Sequence, residues 1–258
     1  MPDKYACEVV VNERLTDNVF IITAVNRALA AKAVAGQFLH IKCGEAHLLR
    51  RPVSICSVRG SAFEFVFEVK GEGTRWLSNR EAGQMLNILG PLGNGFSIPA
   101  GKIITIGGGI GTPPLLFAAE SAIGGVTAVI GFQNKDRIIL KDEFEAVCEE
   151  VYVTTDDGSF DIHGPVTAPL PELLGSGEYS AVLACGPRAM LSAVAALCKQ
   201  YGVPCQVSLE ERMGCGVGAC LVCACATVSG GTESMSRVCK DGPVFDAGEV
   251  IWGGHIND

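Results

Sequence analysis

Four cysteines near the C-terminus constrain this chain more than any other feature. Cys215, Cys220 and Cys223 have the spacing C-x4-C-x2-C, and Cys239 follows after fifteen residues. That is the spacing of a plant-type [2Fe-2S] site, which takes three thiolates from one loop and the fourth from a separate segment. The chain has to wrap a compact inorganic core, and Gly214, Gly216 and Gly218 let it turn without a Cβ in the way. Structural zinc is the main competing reading. Zinc sites usually pair two C-x2-C or H-x3-H elements. Here there is one C-x2-C, and His40, His47, His163 and His255 lie outside the cluster. Cys225, two residues past Cys223, is read as a packing or near-cluster thiol. Disulfides are the third reading. MPDKYACEVV has no basic n-region and no apolar h-region, so no secretory signal is visible. A cytoplasmic chain with reduced thiols is therefore expected, and clustered cysteines there favour metal or redox chemistry.

The chain has 258 residues, and 12 of them are cysteine. Cys7, Cys43, Cys56, Cys148, Cys198 and Cys205 are scattered and read as small buried residues. With 48% hydrophobic and 19% charged residues the composition excludes a disordered chain. A net charge of −8 argues against a general nucleic-acid binder. The longest apolar stretch, Ile103 to Phe132, is interrupted by Glu120, by glycines and by Pro113-Pro114. It reads as buried strand–helix–strand, so no membrane span is expected.

Three sections follow from pattern. Residues 1–99 carry short alternating runs (CEVVVNERL, VFIITAV, QFLHIKC, VSICSV, FEFVFEVK) between Gly and polar turns. These predict a small antiparallel barrel, with a sandwich as the alternative. Residues 100–207 alternate strands such as KIITIGGG, VTAVIGF and AVLACGP with helices such as TPPLLFAAESAI and RAMLSAVAALCKQYG. That order predicts a parallel sheet with helices on both faces. Residues 208–258 are short, Gly- and Cys-rich and weakly periodic, and need a staple.

The segment Gly107-Gly108-Gly109-Ile110-Gly111-Thr112-Pro113-Pro114 joins a strand to a helix. Backbone N–H groups at such a turn can hold a diphosphate. It departs from G-x-G-x-x-G because Thr112 stands at the third glycine place. Lys135 and Arg137 after the next strand either read a 2′-phosphate or form a solvated turn around Asp136, so NAD and NADP stay open. Cys185-Gly186-Pro187 ends a later strand of the same sheet, where ligands of open α/β sheets sit. Cys185 either faces a nicotinamide ring or is a buried strand-end thiol.

In the first section, Arg50-Arg51-Pro52-Val53-Ser54 ends a strand. An arginine there can grip a pyrophosphate, and a serine hydroxyl can bond a flavin or phosphate edge. Gly71-Glu72-Gly73-Thr74 follows the next strand and offers backbone N–H groups to a phosphate. Gly90-Pro91-Leu92-Gly93-Asn94-Gly95-Phe96 reads as a turn before the second section.

Taken in order, R-P-x-S, G-x-G-T, G-P-L-G-x-x-F, G-G-G-I-G-x-x-P and C-G-P resemble the ferredoxin–NADP reductase superfamily. The tail, ERMGCGVGACLVC with VCKDGPVF, resembles the electron-transfer subunits of NAD-dependent, type B dihydroorotate dehydrogenases. The resemblance covers essentially the whole chain. It implies a six-stranded FAD-binding barrel, a central parallel α/β domain that binds NAD as substrate, and a small C-terminal [2Fe-2S] subdomain. By the same resemblance Arg51, Pro52, Val53 and Ser54 contact FAD, and Val66, Phe67 and Glu68 line the flavin. Gly73 and Thr74 hold its pyrophosphate. Glu68 stands where an arginine is frequent in similar subunits.

The family also implies a partner. An FMN-containing catalytic subunit oxidises dihydroorotate, and electrons pass through the cluster and FAD to NAD+ in de novo pyrimidine synthesis. The expected assembly is a heterotetramer with two subunits of each kind. Met213, Val217, Leu221 and Val222 are candidates for its interface. No general acid or base is expected in this chain, because cofactors carry the chemistry. Two alternatives remain at this stage. One is the flavin/iron–sulfur subunit of a ferredoxin:NADP or sulfide-type oxidoreductase. The other is a zinc-stapled nucleotide-binding sensor.

Overall fold

The computed structural model describes residues 3–253. The last five residues of the cysteine-rich tail, His255 among them, lie outside the described residues.

Six N-terminal strands close into an antiparallel barrel. They are β1 (Lys4–Arg14), β2 (Val19–Val25), β3 (Phe38–Lys42), β4 (Arg51–Arg59), β5 (Ala62–Glu68) and β6 (Met85–Leu92). Their order around the barrel is β1-β2-β5-β4-β3-β6. Closure leaves no free strand edge, which decides between barrel and sandwich. Alternation fills the interior: Phe63 and Phe65 are fully buried, and Phe67 stacks on Phe20 at 6.0 Å. Two short helices interrupt the strands, α1 (Arg27–Ala30) and α2 (Glu72–Ser78). The Asn26 side chain accepts from the N–H groups of Ala28 and Leu29 and caps the first. One expectation is corrected: Gly90-Pro91-Leu92 is not a turn but the end of β6. The chain turns only from Gly93, whose positive φ of 76° begins the exit.

The second part is a seven-stranded sheet of order β10-β9-β8-β7-β11-β12-β15. Its members are β7 (Ile103–Gly108), β8 (Val126–Phe132), β9 (Glu150–Thr155), β10 (Ile162–His163), β11 (Ala181–Cys185), β12 (Cys205–Ser208) and β15 (Val244–Asp246). All pairs are parallel except β12–β15. Every residue of β7, β8 and β11 is buried, as strands covered on both faces require. The helices are α3 (Pro113–Ser121), α4 (Lys141–Val147), α5 (Leu170–Gly175) and α6 (Arg188–Tyr201). Helix α3 also joins sheet to barrel: Glu120 accepts from Ser57 Oγ at 2.7 Å and from Arg59 Nη2 at 3.0 Å, both on β4.

The tail is woven into both parts. It forms the hairpin β13 (Ala224–Ser229) and β14 (Thr232–Arg237), then adds β15 to the sheet edge. Val238, Cys239, Phe245, Ala247 and Val250 share a core with β12 and α6 residues. Asn94, leaving the barrel, bonds the carbonyls of Asp241 and Gly242. Among the described residues no helix is long and apolar enough to cross a membrane.

Candidate functional site

Two cavities, of about 1000 Å³ and 430 Å³, open beside one another where barrel, sheet and tail meet. The larger is built from the carboxyl ends of parallel strands, the usual ligand position in such sheets. Gly108 ends β7 and Gly109, Ile110 and Gly111 follow it, Gln133 and Arg137 follow β8, Asp156 follows β9, and Gly186 and Pro187 follow β11. Backbone packing explains Gly111. A Cβ there would lie 2.5 Å from the Cys185 carbonyl oxygen, so only glycine lets the β7 and β11 loops touch. Gly107 and Thr112 stand behind this wall rather than on it. Both are buried, and a Cβ on Gly107 would meet the Thr112 Cα at 2.8 Å.

Cys185 is likewise behind the wall. It is 1% exposed, and burial holds its thiol well above the ordinary range. Gly186 and Pro187, not Cys185, face the cavity. Arg137 reaches the cavity, whereas exposed Lys135 does not.

The smaller cavity is lined by Arg51, Pro52, Val53 and Ser54 of β4 and by Val66, Phe67 and Glu68 of β5. Thr74 reaches its edge, while Gly73 lies buried beneath Arg51, whose Nε would be 2.7 Å from a Cβ there. The Thr74 hydroxyl accepts from the N–H groups of Lys70 and Gly71 and donates to the Gly71 carbonyl, which fixes the turn into α2. Arg51 Nη1 donates to the Leu49 carbonyl at 2.7 Å.

Glu68, Lys70, Ile110 and Glu210 line both cavities and form their common wall. Glu68 accepts from Asn18 Nδ2 at 2.9 Å, pairs with Lys70 at 3.1 Å and faces Arg137 at 3.7 Å. Glu210 is exposed along the cavity wall, yet the protein crowded around its carboxyl raises that group, and Lys70 pulls against it. The sequence held no local signal for Lys70 or Glu210, because each follows a strand end with no motif of its own.

The cysteine loop lies on the tail beside the smaller cavity, whose wall includes Met213. Cys215 Sγ accepts from the N–H groups of Val217, Ala219 and Cys220 at 3.2–3.4 Å. Burial opposes ionisation of this thiol, but the N–H groups of Val217 and Cys220, the Cys220 thiol and the Ala219 N–H bring it down to about 6. N–H groups converging on one sulfur suit a thiolate, as a metal ligand must be. The four cysteines fall into two pairs joined through backbone N–H groups, Cys220 N–H donating to Cys215 Sγ and Cys239 N–H to Cys223 Sγ. Gly218 N–H donates to Cys239 Sγ at 3.1 Å, and Cys239 N–H to Cys223 Sγ at 3.4 Å. Among the described residues no three His, Cys, Asp or Glu side chains converge as on one ion. Two such pairs suit a two-iron core, which takes two thiolates on each iron. Cys225 takes no part in these bonds. It is buried on β13, and burial pushes its thiol up to about 11.

Of the interface candidates, Val217, Leu221 and Val222 are exposed, while Met213 packs against the core. A further residue escaped sequence reasoning. His40 of β3 is 1% exposed against the cysteine loop, and neither ring nitrogen has a hydrogen-bond partner in good geometry. Its ring stays neutral, with its pKa lowered to about 4 by burial and then by Arg50. A polar residue at an inward strand position was its only signal.

Residues 210–251 match the family model of the iron-sulfur cluster binding domain of dihydroorotate dehydrogenase B. The chain is 39% identical over 255 residues to the dihydroorotate dehydrogenase B (NAD(+)) electron transfer subunit of Geobacillus thermodenitrificans, covering 94% of this chain and 96% of that one. It is 39% identical over 250 residues to the same subunit of Caldanaerobacter subterraneus subsp. tengcongensis, covering 96% and 99%. Among solved structures it resembles a chain of NADH-dependent reduced ferredoxin-NADP oxidoreductase, described for flavin-based electron bifurcation. The TM-score is 0.85 at 31% identity, covering 98% of this chain and 92% of that one. The ferredoxin reductase of carbazole 1,9a-dioxygenase shares the fold, with a TM-score of 0.65 at 23% identity over 78% of this chain and 67% of that one. Identity is higher toward the dihydroorotate dehydrogenase subunits than toward either oxidoreductase. The chain belongs to the family of electron transfer subunits of dihydroorotate dehydrogenase B (NAD(+)).

Proposed function

We propose that the smaller cavity holds FAD, the larger holds NAD, and the cysteine loop holds a [2Fe-2S] cluster. The chain then relays electrons from an FMN-bearing catalytic subunit, which oxidises dihydroorotate, to NAD+. The observation that carries this reading is the common wall of Glu68, Lys70, Ile110 and Glu210. Two nucleotide cavities sharing a wall bring their occupants into contact, and the cysteine loop follows that wall within a few residues of Glu210. Bound flavin supplies the chemistry that joins single-electron transfer on one side to hydride transfer on the other.

The residues divide the work. Arg51 would neutralise the FAD diphosphate, and the turn at Gly73 and Thr74 would bring backbone N–H groups to it. Pro52, Val53, Ser54, Val66, Phe67 and Glu68 would line the flavin and exclude water. Gly108, Gly109 and Gly111 would admit the NAD diphosphate, with Gly107 and Thr112 shaping the turn from behind. Gly186 and Pro187 would wall the nicotinamide, with Cys185 backing them. Cys215, Cys220, Cys223 and Cys239 would ligate the cluster. The corresponding divisions are residues 1–99 for flavin, 100–207 for NAD and 208–258 for the cluster.

The exposed apolar side chains Leu221 and Val222, at 62% and 56% exposure, flank the cluster loop and suit a partner surface. A heterotetramer of two chains of each kind, in the reducing cytoplasm, completes the reading. The test is anaerobic purification with assays of iron, sulfide and flavin, a visible spectrum, and addition of NADH. Bleaching of the flavin band is expected, with orotate-linked activity only in the presence of the FMN subunit. A preparation free of iron, or a flavin that NADH leaves coloured, would sink the relay.

A further inference from the structure

His40 occupies an unusual position. It lies on β3, opposite Pro52 of β4 in the barrel register, and so abuts the strand that carries Arg51 to Ser54. Its own carbonyl accepts from Arg50 Nη1 at 3.0 Å. On the other side its ring presses on the cysteine loop. A Cβ on Gly216 would come within 2.6 Å of His40 Nδ1, and Gly216 holds a left-handed φ of 71° there. The ring thus stands between the β3–β4 ladder and the turn at Gly216. Neither ring nitrogen has a partner in good hydrogen-bond geometry, and the ring is sealed from water.

Burying an imidazole without firm partners is unfavourable, and a leucine would fill similar space without that cost. An imidazole carries at least one N–H in either charge state. What this ring adds over leucine is therefore a polar edge pressed against the turn that carries the first cysteine of the loop. We propose that His40 is a positioning residue that holds the Cys215–Gly216 turn against the flavin-lining strand and so fixes the setting of the cluster relative to the barrel. The proposal rests on the cluster reading above and goes beyond it by naming a residue outside the tail. Groups that orient metal ligands act on the metal's electronic properties as well as on its retention.

The test uses the chain co-purified with its catalytic subunit, as wild type, His40→Leu and His40→Gln. Iron and sulfide are assayed, and the electron paramagnetic resonance spectrum is recorded after dithionite reduction. The expected result is a shift of the g values in His40→Leu, or loss of its cluster. In either case His40→Gln, which restores a donor, returns the wild-type signature. A His40→Leu spectrum and iron content equal to wild type overturn the proposal. Equal loss of cluster from both variants overturns it too, because the ring would then be only a filler of fixed shape. Dithionite reduces the cluster directly, so the comparison stands whether or not NADH bleaches the flavin. Wild-type flavin that NADH fails to bleach counts against the relay alone.

Discussion

Glu68 of the barrel and Arg137 of the α/β part face one another across the boundary of the two cavities, 3.7 Å apart. Arg137 also donates to Asn18 Oδ1, and Glu68 accepts from Asn18 Nδ2, so one asparagine bridges both partners. The pair ties the loop after β8 to the strand that lines the smaller cavity. It also occupies a cation that reaches the larger cavity. Glu68→Gln should change stability by less than about 1 kcal/mol, as for other partly exposed ion pairs. With Arg137 held by Asn18 alone, affinity for NADP(H) should rise relative to NAD(H) by several-fold. Paired dissociation constants by flavin quenching or calorimetry would show it, and an unchanged ratio would clear Arg137 of any role in discrimination.

Cys223 and Cys225 are separated by a single residue but differ in surroundings. Cys223 Sγ accepts from the Cys239 N–H, whereas Cys225 is buried on β13 outside that cradle. Cys223→Ser should lose most of its iron. Cys225→Ser should keep iron near wild type and lose about 1–3 kcal/mol of stability, the cost of a poorly satisfied buried hydroxyl. Iron per chain and a thermal midpoint decide the matter. Equal iron loss in both variants would refute the ligand assignment.

Glycines of the β7 loop should tolerate alanine very differently. A Cβ on Gly111 meets the Cys185 carbonyl oxygen at 2.5 Å, which is backbone and cannot give way. Gly111→Ala should lose about 1–3 kcal/mol or more through overpacking. A Cβ on Gly108 meets the Met190 sulfur at 2.4 Å, in a flexible side chain, and the Pro187 Cδ at 3.1 Å, with no backbone atom among its near contacts. Gly108→Ala should stay within about 1 kcal/mol of wild type while weakening NAD binding, because Gly108 lines the cavity. Chemical denaturation beside NAD titration separates the two effects.

Glu210 gives the protein a pH dependence of a stated sign. The residue is open to the cavities, so the effect is small, but the protein around its carboxyl raises its folded-state pKa above the ordinary 4.5. The folded chain then binds more protons than the unfolded chain between 4.5 and the folded pKa, so stability falls as pH rises through that window. Glu210→Gln removes the group. Its stability relative to wild type should therefore climb as pH rises from about 4.5 and level off above the folded pKa. Thermal midpoints from pH 4 to 8 would record this, and a constant difference would refute it.

Leu221 and Val222 stand exposed at the rim of the cysteine loop. Leu221→Glu with Val222→Glu should leave the chain folded and flavin-bound. Co-purification of the catalytic subunit should fall at least tenfold, as when central contacts of an interface are lost. Unchanged complex by size-exclusion chromatography would move the partner surface elsewhere.

The sequence by itself determined whatever rests on short-range pattern. Spacing made Cys215, Cys220, Cys223 and Cys239 a cluster motif, since a loop that wraps two irons needs its ligands a few residues apart. Alternation in FEFVFEVK and the glycines after KIITI gave a strand-rich part and an α/β part, because side-chain periodicity is local. It missed β15, whose three residues are too few to show a period, and so missed that the tail completes the sheet. It also took Gly90-Pro91-Leu92 for a turn, because glycine and proline mark turns more often than strand ends. Only the tertiary structure decided which residues meet. Glu68, Lys70, Ile110 and Glu210 come from three separate segments to form one wall. His40 and Gly216 touch across more than 170 residues of chain. Such contacts depend on closing the barrel, docking α3 on β4 and folding the tail back onto the sheet edge. No window of sequence contains that geometry.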